Sequence, residues 1–485
     1  MFKKGLKLYS YHTFLVVPFI VLFLYSHNYG QAQPYMTYRT LWIGFILTSV
    51  LFGLSYLIFK NRLKTGVFVT FLLFLLFQYG VIYELFEDMY YAGNWPFKNI
   101  HRYLLVTYLI LIVVALWLTN KTKHDFIKVN YFLNFLLLML IVFNLIAINF
   151  RTYSTKLLGS LKSADSSSVI KFNNSKGKPD IYYIVLDGYA GNSVLEKYYN
   201  FDNSEFSEQL KQLNFSICDS AFSNYYYTSL SMAATLNMRY LDTLSNINEM
   251  IKDNLLFKTL KANNYRTYHM LTGYAVTSTF THADSTIQID APKEFEKGIL
   301  KHTILRLDDL FGLFAHQRLS SQFKKMYEFI KIKHTPKFCF MHFVAPHPPF
   351  IFDREGKIRA KHQFAEHSWE PKELYVDQLV YVNKQIKKLV ESIVKSNPNT
   401  LVIIQSDHGP WITENNSDNV FEARSKILYA YRLGNNVKIP SHTSSVNTFR
   451  YLFNNLFNTQ FDTLEDVYAG KQRLMSDPVF SKKVH

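Results

Sequence analysis

Cysteine is scarce in this sequence: 485 residues contain only two, Cys218 and Cys339. Neither belongs to a Cys-x-x-Cys pair or to a Cys/His cluster with zinc-ligand spacing. This scarcity excludes a disulfide-stapled scaffold and a thiolate zinc site. Both cysteines lie in apolar, strand-like stretches, so we interpret them as buried free thiols, with a single disulfide as the alternative.

Blocks of positive charge are also missing. The chain has 53 Lys and Arg against 37 Asp and Glu, a formal net charge of +16. In the second part of the chain, however, these charges are spread out rather than gathered into a basic stripe. A protein that follows a nucleic-acid backbone concentrates its Lys and Arg on one face. We therefore expect no nucleic-acid partner.

Long apolar runs dominate residues 1–150, which carry only twelve basic and four acidic residues. A helix needs about 17–25 apolar residues to cross a bilayer. Five stretches meet that requirement: 8–26, 41–59, 65–83, 103–119 and 129–149. The first stretch lacks the small-residue cleavage site of a secretory signal, so it is expected to remain as an anchor. Residues 1–150 are predicted to form a five-helix transmembrane domain.

The basic residues between these stretches predict the orientation, because cytoplasmic loops are enriched in Lys and Arg. With a cytoplasmic N-terminus, three of them face outward: Arg39, Lys98 and Arg102. Nine face inward: Lys3, Lys4, Lys7, Lys60, Arg62, Lys64, Lys121, Lys123 and Lys128. The bias places everything after residue 150 outside the cytoplasm, in the periplasm or extracellular space. The membrane domain is interpreted either as a passive anchor or as a domain that also presents a lipid to the catalytic domain.

Composition changes after residue 150. Residues 151–178 are rich in Ser, Lys and Asn, which is typical of a linker. Residues 179–485 are predicted to form the extracytoplasmic catalytic domain. Apolar strands are expected at 180–189, 337–346 and 399–410, and a long helix at 372–396. Strands that alternate with helices predict an α/β domain with a mainly parallel sheet.

Acids and histidines follow these strands directly. Asp187 ends the first strand, His347 follows the second, and Asp407 and His408 follow the third. The carboxyl ends of parallel strands meet at one edge of a sheet, so we expect these side chains to gather there. Carboxylates and imidazoles are ligands for divalent metals. Taken singly, Asp-Gly and Asp-His-Gly are weak signals, since many turns contain them.

A candidate nucleophile lies in residues 223–237. Thr228 stands where a polar loop gives way to a segment of helical spacing. A hydroxyl at a helix start lies where anions bind, and a nearby metal lowers the pKa of that hydroxyl. The alternative is that Thr228 only caps the helix. Ser229 and Ser231 compete for either role.

His347 lies in the stiff segment Pro-His-Pro-Pro. A neutral imidazole there could hold a metal, and a protonated one could bind a phosphate oxygen or protonate a leaving group. The alternative is an ordinary surface histidine. His342, within the preceding strand, is interpreted as a packing residue.

The ordered set Asp187, Thr228, His347 and Asp407-His408 resembles the alkaline phosphatase and sulfatase superfamily. Over 180–455, together with the topology of 1–150, the chain is most similar to lipoteichoic acid synthases and phosphoethanolamine transferases. The resemblance implies an α/β sulfatase-like domain behind the membrane helices. It implies one divalent ion, zinc or manganese with calcium or magnesium as alternatives. Its implied ligands are Asp187, Thr228, Asp407 and His408.

The stretch that begins at Thr228 departs from the sulfatase pattern Cys/Ser-x-Pro-Ser-Arg. Threonine cannot become formylglycine, Leu230 takes the proline position, and Met232 takes the arginine position. Where sulfatases have two consecutive aspartates after the first strand, this chain has Asp187 followed by Gly188. The resemblance therefore does not extend to formylglycine chemistry.

The resemblance implies a transferase in which Thr228 is the nucleophile and His347 binds the transferring group. The expected reaction moves a phosphorylated head group from a membrane lipid, through a phosphothreonine, to a cell-surface glycan or lipid. One alternative is a sulfatase-like or phosphodiesterase hydrolase that uses water as the acceptor. The other is a catalytically silent membrane scaffold.

Overall fold

The computed structural model describes residues 9–27, 35–91, 96, 99–162, 170–172, 177–242, 246–290, 294–304, 308–359, 369–414, 416–433 and 439–469. The chain divides into two compact units. The first unit comprises residues 1–165 together with 293–310, and the second comprises residues 166–292 together with 311–485. Lys3, Lys4, Lys7 and Lys98, which contribute to the predicted orientation, lie outside the described residues, as do parts of the predicted linker.

Among the described residues of the first unit, five apolar helices make up most of the structure: α1 (Tyr11–His27), α2 (Tyr35–Phe59), α3 (Arg62–Tyr91), α4 (Ile100–Lys121) and α5 (Ile127–Lys162). Helices α2 to α5 each contain a span that is long and apolar enough to cross a membrane, whereas the apolar α1 has 17 residues. This agrees with the predicted helical membrane domain. Helix α5 extends to Lys162, so the first part of the predicted linker is helical.

Buried polar side chains join three of these helices. The ring of His12 in α1 contacts Thr70 of α3 at 2.6 Å and Asn130 of α5 at 3.0 Å. The backbone N–H of His12 donates to Asn134 of α5 at 2.6 Å. Such bonds hold helices together where the surroundings offer no competing water.

Residues 293–310 lie late in the sequence but belong to the first unit. Helix α11 (Glu294–Lys301) packs Phe295 and Ile299 against an apolar cluster of α1. Lys301 pairs with Glu84 of α3 at 2.8 Å. No feature of the sequence pattern predicted this segment.

Within the part of the second unit that the structure describes, seven strands form a sheet: β1 (Ile181–Leu186), β2 (Ser216–Ile217), β3 (Arg266–Met270), β4 (Ser285–Ile287), β5 (Lys337–Phe343), β6 (Leu401–Ser406) and β7 (Tyr429–Arg432). Their order is β2-β7-β6-β1-β5-β3-β4. Strands β6, β1, β5, β3 and β4 are parallel, while β7 and β2 run antiparallel to their neighbours.

The helices that accompany this sheet are α6 (Asn192–Tyr199), α7 (Ser204–Gln212), α8 (Thr228–Asn237), α9 (Ile247–Lys252), α10 (Leu255–Ala262), α12 (Asp308–Ile330), α13 (Lys372–Ser396), α14 (Ser417–Ser425) and α15 (Thr448–Phe457). Every residue of β1, β5 and β6 is buried. Alternate residues of β1 enter two different core clusters, Tyr182, Ile184 and Leu186 on one face and Ile181, Tyr183 and Val185 on the other. The sheet is therefore covered on both faces, as its continuous apolar strands predict.

Both cysteines are free and buried. Cys339 lies within β5, and Cys218 follows β2. The fold thus uses them as small apolar core residues.

Candidate active site

The centre of the sheet positions two carboxylates. Strands β1 and β6 pair in parallel with Leu186 opposite Ser406, so Asp187 and Asp407 follow them at the same level. Both aspartates are buried, at 2% and 0% exposure. Gly188 then adopts a φ of +73°, in the left-handed region that glycine tolerates best.

The two carboxylates are only partly satisfied by hydrogen bonds. Asp407 Oδ1 accepts from the backbone N–H groups of Gly188, at 3.1 Å, and His408, at 2.9 Å. Asp407 Oδ2 and Asp187 Oδ1 are buried and receive no hydrogen bond from the described residues. Buried carboxylate oxygens without donors are costly, which favours a cation between them.

These two acids influence each other's ionisation. Burial and, second to it, the charge of Asp187 together raise the pKa of Asp407 to about 7. Burial also opposes the ionisation of Asp187, but the neighbouring His347, His342 and His408 together hold its pKa below the usual value. A site without a cation therefore disfavours two ionised carboxylates at once.

His408 directs a lone pair at the acids. Its Nδ1 lies 3.0 Å from the carbonyl of Gly409, which can only accept, so Nδ1 carries the proton. Its Nε2 lies 3.4 Å from Asp407 Oδ2 and 3.6 Å from Asp187 Oδ1. Burial, followed by the charge of Arg424, lowers the pKa of His408, which keeps the imidazole neutral.

Thr228 reaches the same nitrogen. Its Oγ1 lies 3.2 Å from His408 Nε2, and the side chain is buried. Thr228 is the first residue of α8, and Tyr227 holds the N-cap position without a side-chain cap bond. The capping interpretation is therefore wrong. Ser231 has a structural contact, because its hydroxyl accepts from Ser223 at 3.1 Å.

His342 also belongs to the cluster, and its interpretation as a packing residue is wrong. Its Nε2 lies 3.5 Å from Asp187 Oδ2 and has no hydrogen-bond partner among the described residues. Its Nδ1 contacts Thr277 Oγ1 at 2.8 Å. Asp187, His342 and Asp407 each offer a ligand atom, and these atoms lie within 4.8 Å of one another.

His347 is half-buried beside this cluster. Its Nδ1 lies 2.8 Å from the carbonyl of Pro348, so Nδ1 carries the proton and Nε2 has the lone pair. The ring centre lies 6.4 Å from that of His408 and 4.9 Å from that of Trp369. Burial lowers the pKa of His347, although Asp187 opposes the shift.

The residues present fit a divalent cation. Two carboxylates and the Nε2 atoms of His342 and His408 converge, and one atom each of Asp187, Asp407 and His342 is buried without a hydrogen-bond partner among the described residues. Carboxylate oxygen with histidine nitrogen is a common donor set for zinc and manganese. The residues that would hold the ion are Asp187, Asp407 and His408, with His342 as an addition to the predicted set. Thr228 Oγ1 lies against the same cluster.

The structure thus brings together all five residues predicted from the sequence: Asp187, Thr228, His347, Asp407 and His408. Sequence reasoning missed two further groups, His342 and Arg424. Arg424 in α14 is 3% exposed and its Nη2 lies 3.1 Å from His408 Nε2. The charged segment around Arg424 resembles a solvated helix face, so only tertiary structure reveals its burial.

The sulfatase family model matches residues 179–433, more than half of the chain. The chain therefore belongs to the sulfatase family, and it is an enzyme with apolar N-terminal helices ahead of its sulfatase-like α/β domain.

Solved structures include similar chains. The zinc complex of the C-terminal periplasmic domain of EcEptC from Escherichia coli is 13% identical with a TM-score of 0.42, covering 63% of this chain and 91% of that one. The membrane lipooligosaccharide phosphoethanolamine transferase A from Neisseria meningitidis is 11% identical with a TM-score of 0.39, covering 90% and 95%. The phosphonate monoester hydrolase of Agrobacterium radiobacter is 13% identical with a TM-score of 0.37, covering 60% and 79%. A search among curated proteins found no significant match.

Proposed function

We propose that this protein transfers a phosphorylated head group from a membrane lipid to a cell-surface glycan or lipid, through a covalent phosphothreonine at Thr228. The observation that carries the proposal is the Thr228 hydroxyl, buried 3.2 Å from an imidazole lone pair and beside two incompletely satisfied carboxylates. A hydroxyl in this position has charge-stabilising groups around it but no structural capping role.

The divalent ion that Asp187, Asp407 and His408 would hold supplies positive charge, which lowers the pKa of a neighbouring hydroxyl. Thr228 Oγ1 then forms a bond to phosphorus, and the bond from phosphorus to the lipid oxygen breaks. The hydroxyl proton passes to Nε2 of His347 and leaves with the departing alcohol. The neutral tautomer of His347, with its lone pair on Nε2, suits this relay.

The second half of the reaction reverses these roles. An acceptor hydroxyl gives its proton to His347 and attacks the phosphothreonine, and the bond between phosphorus and Oγ1 breaks. Thr228 recovers a proton from His347 and returns to its starting state. Water in place of the acceptor hydroxyl would make the same site a hydrolase. The apolar N-terminal helices support a lipid donor, because such a donor would share the membrane with the enzyme.

Mass spectrometry of the intact chain tests the nucleophile. The full-length protein, purified in detergent and loaded with zinc or manganese, is incubated with bacterial lipid extract and digested. We expect an adduct on the peptide that contains Thr228, with a mass that identifies the transferred group. Thr228→Ala should carry no adduct and lose at least about 1,000-fold in turnover, whereas Thr228→Ser should retain the adduct.

Two results would overturn this assignment. One is an adduct on a different residue in the parent protein. The other is undiminished lipid consumption by Thr228→Ala. A third result would change the reaction but not the nucleophile. If the enzyme forms the Thr228 adduct and consumes lipid without transferring the group to any added acceptor, it is a hydrolase rather than a transferase.

A further inference from the structure

Arg424 is held rigidly at the edge of the candidate active site. Its Nε donates to the carbonyl of Tyr226 at 2.8 Å, and its Nη1 donates to the carbonyl of Gly409. Tyr226 lies two residues before Thr228, and Gly409 directly follows His408. Backbone groups on both sides of the site thus fix the guanidinium, and Nη2 is left to face His408 Nε2.

Two tryptophans cover the guanidinium. Its carbon lies 4.9 Å from the ring centre of Trp411 and 5.8 Å from that of Trp369. Both rings are buried, at 8% and 6% exposure. Aromatic faces attract cations, more strongly where water is excluded. These contacts hold Arg424 in one orientation and keep solvent from screening its charge.

The charge of Arg424 has to be balanced inside the protein, because an unpaired buried charge is costly. Asp187 and Asp407 supply negative charge nearby, and both favour the charged form of Arg424. A divalent cation held by these two carboxylates would neutralise them fully. The guanidinium would then no longer have these two carboxylates as its counterions.

The hydrogen bonding leads to the same conclusion. Nη2 of Arg424 and Oγ1 of Thr228 approach the same lone pair of His408, at 3.1 and 3.2 Å. A cation at that nitrogen would occupy the lone pair, so Nη2 would require another acceptor. An oxygen of the ester attacked by Thr228 would lie nearby and carry the missing negative charge.

We propose that Arg424 binds a non-bridging oxygen of the ester group and makes the site selective for singly charged esters, such as phosphodiesters, over doubly charged phosphate monoesters. This inference rests on the proposed function and names its substrate class. The single charge of Arg424 matches one negative charge on the ester, whereas a monoester dianion brings a second negative charge that Arg424 does not balance.

Binding measured without turnover tests this role. Thr228→Ala protein, full-length and loaded with manganese, is titrated by calorimetry with diphenyl phosphate, which is singly charged, and with phenyl phosphate, which is doubly charged near pH 8. We expect the diester to bind more tightly. When Arg424→Gln is introduced into the Thr228→Ala protein, diester binding should weaken roughly tenfold to hundredfold, the range for a hydrogen bond to a charged group. Arg424→Lys should recover part of the loss.

Arg450 offers a matched control in the same unit. It also donates to two backbone carbonyls, those of Met238 at 2.6 Å and Asp462 at 2.7 Å, and its guanidinium lies 5.5 Å from the ring centre of Phe461. Arg450→Gln should leave diester binding unchanged. The metal content of each variant, measured by mass spectrometry, reports whether the site is intact.

The outcomes separate the two proposals. Unchanged diester binding in a metal-loaded Arg424→Gln variant would overturn the role of Arg424. If both Arg424→Gln and Arg424→Lys lose the metal, Arg424 serves to hold the loop that contains His408 in place. That result also overturns the proposal. If diester binding depends on Arg424 but the parent protein forms no adduct on Thr228, the role of Arg424 in binding the ester is supported. The assignment of Thr228 as the nucleophile is then rejected.

Discussion

At the scale of single residues, the two buried carboxylates of Asp187 and Asp407 determine what the site binds. Their like charges oppose each other unless a cation lies between them. Asp407→Asn keeps the oxygen that accepts from Gly188 and His408 but removes the charge. We expect the metal-free variant to melt at the same temperature as the parent or above it. Stabilisation by zinc or manganese, about 2.7 kcal/mol at a hundredfold excess over Kd, should disappear.

Asp180 provides the control for this prediction. It is equally buried, at the opposite end of β1, where its Oδ1 accepts from the N–H of Lys337 at 3.0 Å. Asp180→Asn should lower the melting temperature with and without metal, and leave the metal-induced shift unchanged. Melting curves with added manganese and with a chelator measure both quantities. A normal metal-induced shift in Asp407→Asn would contradict the assignment of this carboxylate as a ligand.

Residue chemistry also explains which site members the sequence could reveal. Asp187 and Asp407 end apolar strands, where a polar residue marks the edge of a parallel sheet. His342 lies inside β5, so its position in the chain resembles that of any core residue. Its contact with Asp187 depends on the pairing of β5 with β1, in which His342 lies opposite Val185. Such a contact is set by register, which a single sequence does not specify.

At the scale of elements, the loop after β6 packs tightly against the end of α14. The N–H of Gly409 donates to the carbonyl of Arg424 at 2.8 Å. A Cβ on Gly409 would lie 2.0 Å from the carbonyl oxygen of Ala423, a backbone atom that cannot swing away. We expect Gly409→Ala to separate the loop from α14, lower stability by at least about 2 kcal/mol and reduce the metal content.

Gly298 in α11 is the corresponding control. A Cβ there would meet no atom within 4 Å, so Gly298→Ala should raise the stability of its helix by about 0.5 kcal/mol. Melting temperature and bound metal are measured for both variants. Full metal content and unchanged stability in Gly409→Ala would show that α14 does not pack against this loop as described.

The elements differ in how well the sequence predicts them. Helix α13 spans Lys372–Ser396, as predicted, because a long segment without Gly or Pro shows regular apolar spacing. Helices α11 and α14 are short and rich in charge, so their patterns do not stand out. They matter because of their packing partners, and those partners lie far away in the sequence.

At the scale of the whole molecule, the sequence predicts the fold class because segments of many residues differ clearly in hydrophobicity and length. Long apolar helices and buried parallel strands differ in length and composition, and both differ from solvated segments. The assignment of residues 293–310 to the first unit has no such signal, because it depends on a few side chains such as Phe295 and Ile299. Domain boundaries read from composition therefore remain predictions.

The orientation of the chain is the remaining whole-molecule prediction. Cys218 and Cys339 are buried, so serine replacements at both give a background for single reporter cysteines. Asp125, between α4 and α5, and Asn399, before β6, are exposed. In spheroplasts, a membrane-impermeant maleimide should label Asn399→Cys at once and Asp125→Cys only after the membrane is opened. This follows because the basic segments near Lys121 and Lys128 favour the cytoplasmic side. Immediate labelling of Asp125→Cys alone would reverse the topology and place the candidate active site in the cytoplasm, where surface glycans could not serve as acceptors.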